Sequence, residues 1–365
     1  MHQDVADGLG DKGNASASRT AAQGDVIDVS RLTVIDVPDE VLHSKPRAIS
    51  GKDLLQLASL PVQAAVAWFC SDAVCLRLFG GLTRLLYRLQ SDRYGDFERI
   101  YREFLSDEPQ ADAQAGRIVE AATLHHLERL QLLRCYRPGG WQPRIVIEGK
   151  EHLDRALARG KGAILWVTYA TFSDMISKIA LHELGHHVWH LSRHIHGHFS
   201  STRFGMRYLN PIRIAIECRS LADRVVIDPD DPKVALARLQ ELLADNHVVS
   251  ITVVAAARRL TLVPFGPGCI PLAAGAPSLA VKSGAALLPL FTERRPDGSF
   301  LVTIEPALEP AVDAGREQQV AELIAREGAL LRRYFERLPT QFHYSELHSV
   351  RRRWEAATKR QAKAG

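Results

Sequence analysis

The chain has 365 residues, 46% of them hydrophobic and 24% charged, with a formal net charge of +4. That length and apolar content suit one α/β domain with extensions and exclude a chain disordered throughout. Five cysteines (Cys70, Cys75, Cys135, Cys218 and Cys269) without CxxC spacing argue for a reducing cytoplasm and against a disulfide framework or a thiolate zinc site.

Residues 1–48 read as a disordered N-terminal extension. Up to about residue 22 they are rich in Ala, Gly, Ser and Asp and lack a large apolar cluster. They also lack the apolar core of a signal peptide, so a cytoplasmic protein is expected. VIDVSRLTVIDV suits a short extended segment. Residues 49–144 form a helical region. Its stretch 54–89 is the most apolar part of the N-terminal half, but Pro61, Asp72, Arg77 and Arg84 interrupt it too often for a spanning helix of about 20 apolar residues. It is expected to be a pair of helices, either lying on a membrane or packed on the core. Residues 91–136 are helical and polar, with Leu127, Leu130 and Leu133 supplying a buried face, and Pro138, Gly139 and Gly140 break the chain.

Residues 145–350 read as an α/β core. The β-branched run at 145–147 predicts a strand, EHLDRALARG a helix ended by Gly160 and Gly162, and the apolar run 163–168 a strand covered on both faces. A sharp turn leads into a helix over 172–184, with Phe172, Met175, Ile176 and Ile179 at helical spacing. After Gly185, HHVWHLSR predicts a strand and RHIHGHFSSTRFGMRYLNPI a loop and short helix. RVVID is a strand, DPKVALARLQELLADN a helix and VVSITVVA a buried strand. RRLTLVPFG suits an antiparallel hairpin partner, 275–282 a helix, 286–292 a strand, and FLVTIEP an antiparallel return after the PDGS turn. The alternation predicts an α/β fold with a mostly parallel mixed sheet layered by helices. Ligands of such sheets bind beyond the carboxyl ends of the strands, which places the candidate site at the turn 169–174. In the basic tail, 351–365, Arg351, Arg352, Arg353, Lys359, Arg360 and Lys363 suit either an anionic membrane or a solvated helix.

Four motifs carry candidate chemistry. His182, Glu183, Leu184, Gly185 and His186 satisfy H-E-x-x-H, whose zinc chemistry needs both histidines on one helix and a third ligand. Gly185 reads instead as the end of that helix, so the metalloprotease is a remote alternative and no metal is expected. His194, His196 and His198 alternate after a strand and suit either a metal or a polar loop over a pocket. Arg193, Arg203 and Arg207, followed by Asn210, offer planar donors to a lipid headgroup or simply solubilise a surface. Arg258 and Arg259 follow a buried strand and suit a phosphate, a phosphopantetheine arm or a plain turn. Neither G-x-x-x-x-G-K-S/T nor G-x-G-x-x-G occurs, so no nucleotide cofactor and no nucleic-acid partner is expected.

EGKEHLDRALARGKGAILWVT resembles the entry to the catalytic core of the bacterial lipid A (lauroyl/myristoyl) acyltransferases of the lysophospholipid acyltransferase superfamily. VPFGPGCIPLAAGAPSLAVKSGAALLPLF is similar to that family's later segment, and the resemblance extends roughly over 54–354. It implies an acyltransferase-like core with N-terminal membrane-associating helices, peripheral on the cytoplasmic side of the inner membrane and working in lipid biosynthesis without a cofactor. The implied partners are acyl carrier protein or acyl-CoA, a lipid or glycolipid acceptor and the anionic membrane surface. The implied activity moves a fatty acyl group from the thioester to a hydroxyl or amine. The family's catalytic His aligns with Tyr169 and its acid with Asp174, and the acid expected near Arg258 is replaced by Val or Ala. A tyrosine of pKa near 10 is a poor base at neutral pH. If the chain is an enzyme, the base is expected from the loop after the second strand, His196 first and His194 or His198 next, with Tyr169 a donor oriented by Asp174. The alternative is a catalytically silent homologue that binds lipid or acyl chains or acts as a scaffold.

Overall fold

The computed structural model describes residues 27–37, 46–90, 94–105, 111–137, 139–168, 170–193, 200, 202–228, 231–253, 257–311, 313–342 and 355. After strand β1 (Thr33–Asp36), Ser50 opens helix α1 (Gly51–Phe69). Its hydroxyl accepts from Asp53 N while the Asp53 carboxylate accepts from Ser50 N at 2.7 Å, so two otherwise orphaned donors are satisfied reciprocally. Helices α2 (Asp72–Leu89), α3 (Gly95–Phe104) and α4 (Ala111–Arg134) complete the helical part. The core begins with β2 (Ile145–Glu148), α5 (Lys150–Leu157), β3 (Ala163–Val167), α6 (Ser173–Glu183) and β4 (Val188–Arg193). It continues through α7 (Asn210–Glu217), β5 (Asp223–Ile227), α8 (Pro232–Ala244) and β6 (Val248–Thr252). Then come β7 (Arg259–Phe265), β8 (Gly268–Ala273), α9 (Gly275–Ser283), β9 (Ala286–Arg294), β10 (Phe300–Ile304) and α10 (Arg316–Arg337).

Seven strands form one sheet in the order β2-β10-β9-β3-β6-β4-β5, and every neighbouring pair is parallel except β9 with β10. This is the mostly parallel mixed α/β sheet that the alternation predicts. The hairpin expected at RRLTLVPFG forms, as β7 with β8, but outside that sheet. It pairs with β1 into a separate three-stranded antiparallel sheet, whose Val263, Phe265, Ile270 and Leu272 bury against the core cluster that also holds Leu323 and Phe335 of α10.

All five residues of β3 are buried, and they alternate between two clusters. Ala163, Leu165 and Val167 meet Leu153 of α5, Ile176 and Leu181 of α6, and Leu127, Leu130 and Leu133 of α4. Ile164 and Trp166 meet Leu239 and Leu243 of α8, Leu279 of α9 and Phe335 of α10. Each large side chain buried this way contributes roughly 1.5–3 kcal/mol. The expected helix pair over 54–89 is present as α1 and α2. Cys75 and Ala67 turn inward, while Val74, Leu78, Leu82, Leu85 and Leu89 of α2, and Leu55, Val62 and Phe69 of α1, face out. Phe69 is 82% exposed, unlike the buried Phe104, Phe265 and Phe335. Among the described residues, no helix is long and apolar enough to cross a membrane.

Within α10, Glu327 is fully buried, and neither of its carboxyl oxygens has a hydrogen-bond partner among the described residues. Burial, reinforced by Glu305, pushes its pKa well above the ordinary glutamate range. The folded chain therefore holds a proton that the unfolded chain releases above about pH 4.3, so stability from this group falls as pH rises from there to the folded pKa. Urea midpoints should show Glu327→Gln with a flatter decline toward alkaline pH than the parent. Glu327→Met, close in size, should be more stable at pH 7.5 by about 1–3 kcal/mol, the cost of leaving a buried polar group unsatisfied. A Met variant less stable than the parent at that pH would contradict this account.

Candidate functional site: the turn after the central strand

Strand β3 ends between β9 and β6, where Thr168 N donates to Leu290 O and Val253 N donates to Val167 O, both at 2.9 Å. The chain leaving β3 thus enters the middle of the sheet's carboxyl edge, where an open α/β sheet binds its ligand. Tyr169 lies outside the described residues. The turn beyond it is held by its own backbone. Ala170 N donates to Thr168 O at 2.9 Å, Thr171 N to Gln341 O at 2.8 Å, and Ser173 N to Ala170 O at 3.1 Å. Phe172 N donates to the Glu128 carboxylate of α4 at 2.7 Å. The N–H groups of residues 170–173 are therefore all engaged within the protein.

Phe172 caps α6 with φ of +74°, in the left-handed region where a side chain costs about 1–2 kcal/mol. The bond to Glu128 and burial of the ring, edge-on to Phe300 at 5.4 Å between centroids, offset that cost. Nothing in the sequence marks Phe172 for a conformation that normally selects Gly or Asn.

Asp174 is the second residue of α6. Its carboxylate is paired with Arg213 of α7 and with Lys178 one turn along its own helix. Lys178 is also paired with Glu217 at the end of α7, so one buried ammonium joins two carboxylates. His190 of β4 lies beneath them, with Nε2 at 4.0 Å from Glu217 Oε1 and Nδ1 at 2.9 Å from Ser250 Oγ of β6. Burial pushes the Lys178 ammonium below its ordinary pKa, and the Glu217 carboxylate opposes that shift. Asp174, His190 and Glu217 bring potential metal-ligating atoms within 4.8 Å of one another, but the cation between the two acids is the chain's own lysine. Sequence reasoning found Asp174 and missed Lys178, His190, Glu217 and Ser250. The available signal was phase: Lys178 sits among the buried positions of α6, and Ser250 interrupts the apolar run VVSIT.

His194, His196 and His198 fall outside the described residues. The neighbour relation used to place them over the turn is corrected by the strand order, because β6 lies between β3 and β4. At about 4.8 Å per strand, the loop after β4 starts roughly 10 Å from β3 rather than beside it. The loop adjoining the turn is the one after β6, which leads to Arg258 and Arg259. Both arginines are exposed: Arg259 pairs with Asp36 of β1 at 3.7 Å, and Arg258 O accepts from Val37 N at 2.6 Å. Arg193 ends β4, and its carbonyl accepts from Arg224 at 3.4 Å. Arg203 and Arg207 are exposed, the latter with its guanidinium 5.8 Å from the Tyr208 ring.

Asn210 is buried, and its side-chain amide pins both backbone groups of Ser200, at 3.0 and 3.2 Å. Asp53 reaches the same segment, accepting from Thr202 Oγ1 at 2.8 Å. Hydrogen bonds led by that from the Ser200 hydroxyl draw the Asp53 pKa down to about 2. The start of α1 is thereby fastened to the chain that follows the three histidines.

His182 lies in the last turn of α6, and Gly185, at φ of +81°, ends it. His186 N donates to Leu181 O and Gly185 N to His182 O, both at 2.9 Å, which is the Schellman pattern. His186 is thus beyond the helix, and the two histidines of H-E-x-x-H do not share the helical turn that the zinc chemistry needs. No known family model matches the chain, and no curated protein matches its sequence.

Removing one partner of a buried ion pair strands the other. Lys178→Met should lower stability by about 3–5 kcal/mol in denaturant unfolding at pH 7, because Glu217 loses its cation. The double variant Lys178→Met with Glu217→Leu should recover most of the loss. Additive losses in the double variant would show that the two residues do not depend on one another.

Proposed function

We propose that the chain is a peripheral membrane acyltransferase of the lysophospholipid acyltransferase type. It moves a fatty acyl group from an acyl carrier protein or coenzyme A thioester to a hydroxyl or amine of a lipid or glycolipid. The observation that carries this reading is the turn at the carboxyl end of β3, where Phe172 is held at positive φ as the chain enters α6. Backbone strain of this kind collects at functional sites. The turn follows the stretch, GKEHLDRALARGKGAILWVT, that resembles the acyltransferase core. The outward apolar residues of α1 and α2 supply a surface on which a protein can rest in a lipid interface.

In this reading a general base takes the proton of the acceptor as its oxygen or nitrogen attacks the thioester carbonyl, and a histidine of the loop after β4, His196 foremost, serves only by reaching back across β6 to the turn. The tetrahedral oxyanion then collapses, the C–S bond breaks and the thiol leaves protonated. Tyr169 donates a hydrogen bond. Two observations favour the second reading, a silent acyl- or lipid-binding homologue. Asp174 is committed to Lys178 and Arg213, and the N–H groups of 170–173 have partners within the protein, which leaves them no free donor for an oxyanion.

Full-length protein incubated with labelled acyl thioester and a membrane-lipid extract should transfer label to lipid. Replacing His194, His196 and His198 together by Ala should lower turnover at least about a hundredfold, the scale of general-base loss. Tyr169→Phe should cost less. Labelled acyl chain bound but never transferred would establish the silent reading. Flotation with anionic liposomes should weaken as salt rises, because attraction between charges is screened within a Debye length. Equal recovery with neutral liposomes at every salt concentration would remove the electrostatic part of the membrane reading.

A further inference from the structure

A cavity of about 340 Å³ opens between the first turn of α2, the segment before β2 and the β9–β10 turn. That volume is at the lower end of small-molecule sites. It lies on the same edge of the sheet as the candidate turn. β9 runs parallel to β3 and extends past its end, while β10 and β2 begin at that edge. Phe300 lines the cavity and its ring touches both Trp141, at 5.9 Å, and Phe172, at 5.4 Å. Gln341 ties the cavity to the turn from behind. It holds Arg294 N and O at 2.8 and 2.9 Å through its side chain and Thr171 N through its carbonyl.

Around Asp72, in the cavity wall, the charges of the described residues do not balance. Arg134 and Arg294, with side chains only 12% and 8% exposed, share one carboxylate, that of Asp72. Asp72 already pairs with Arg134 and accepts from Gln131 at 3.1 Å, so its contact with Arg294 is a long 3.5 Å. Arg134 also donates to Ala67 O and Cys70 O. Arg294 has no such complement: its buried Nε has no hydrogen-bond partner among the described residues. A buried guanidinium with half a counterion is costly, and a second anion relieves the cost. Gly298, at φ of +83°, lies against the Arg294 guanidinium, where an added Cβ would come within 3.3 Å of Nη2. Arg144 lines the cavity too, its side chain 73% exposed; its Nη2 donates to Asp297 O at 2.9 Å and lies 3.4 Å from the Asp297 carboxylate.

We infer that this cavity is a phosphate-binding subsite. Arg294 at the floor and Arg144 at the mouth hold the phosphate oxygens, and Trp141, Phe300 and Leu76 cover an apolar portion of the ligand. The planar fork of arginine fits phosphate oxygens pairwise, and the aromatic walls suit a phosphate carried on an acyl or similar chain. The assignment does not rest on acyl transfer, since it concerns binding alone.

Isothermal titration of full-length protein at constant ionic strength, with inorganic phosphate and separately with dihexanoyl phosphatidic acid, tests it. Both should bind saturably, and chloride should not. Arg294→Met should weaken both at least tenfold, and Trp141→Ala should weaken phosphatidic acid while leaving inorganic phosphate unchanged. Tighter binding of phosphatidic acid than of phosphate marks a lipid headgroup, and equal binding marks free phosphate or a soluble ester. If Arg294→Met does not fold, the exposed Arg144→Gln decides, with at least a threefold loss expected. Absence of saturable heat from either ligand, or unchanged affinity in the folded arginine variants, would overturn the subsite.

Discussion

Burial of β3 on both faces is the constraint from which the rest of the molecule follows. Five consecutive apolar residues cannot be left beside water on either side, and their backbone groups must find partners at the same time. Pairing with β6 and β9 satisfies the backbone, and α4, α5 and α6 on one face with α8, α9 and α10 on the other satisfy the side chains. At the strand's carboxyl end the buried layer must open, since the chain has to turn out into α6. The strain at Phe172 is stored there, held by a bond from α4 and a ring contact from β10.

The same burial sets the terms for every charge inside the fold. At the α6–α7 contact two carboxylates, Asp174 and Glu217, meet two cations, Lys178 and Arg213, and the chain supplies its own balance. At the base of α2, among the described residues, two guanidiniums meet one carboxylate, and a bound anion would complete the balance. The contrast explains why the first cluster, although it groups potential metal ligands, reads as architecture, and the second, centred on a residue that sequence reasoning passed over, reads as a place for a ligand. Glu327, which has no hydrogen-bond partner among the described residues, is a third solution: burial raises its pKa and favours the protonated form.

The N-terminal helices divide their surface between these roles. Their inner faces lie on α4 and carry Asp72 to the cavity, and the start of α1 is fastened through Asp53 to Ser200 and Thr202. Their outer faces leave large apolar side chains in contact with solvent. One helix, α2, thus carries both Asp72 in the cavity wall and the outward Leu78, Leu82 and Leu85.

What the sequence determined by itself was periodicity and punctuation. The apolar run of β3, the helical spacing of α6, the Asp231 and Pro232 start of α8 and the glycine stop at Gly185 are local signals, and each element formed where those signals lie. Its reach ended where a relation between distant residues was needed. Strand order is set by which layers bury each other, so β6 came between β3 and β4, and the loop after β4 lost its place beside the turn. Asp174 was legible as the acid after the central strand, but not the cluster around it, because α7 brings Arg213 to Asp174 and Glu217 to Lys178 from about forty residues away. Arg294 read as an ordinary charged residue at a strand end. Only packing against α2 and Gly298 made it a buried cation short of an anion, since burial and charge balance belong to the assembled interior and not to any local stretch of chain.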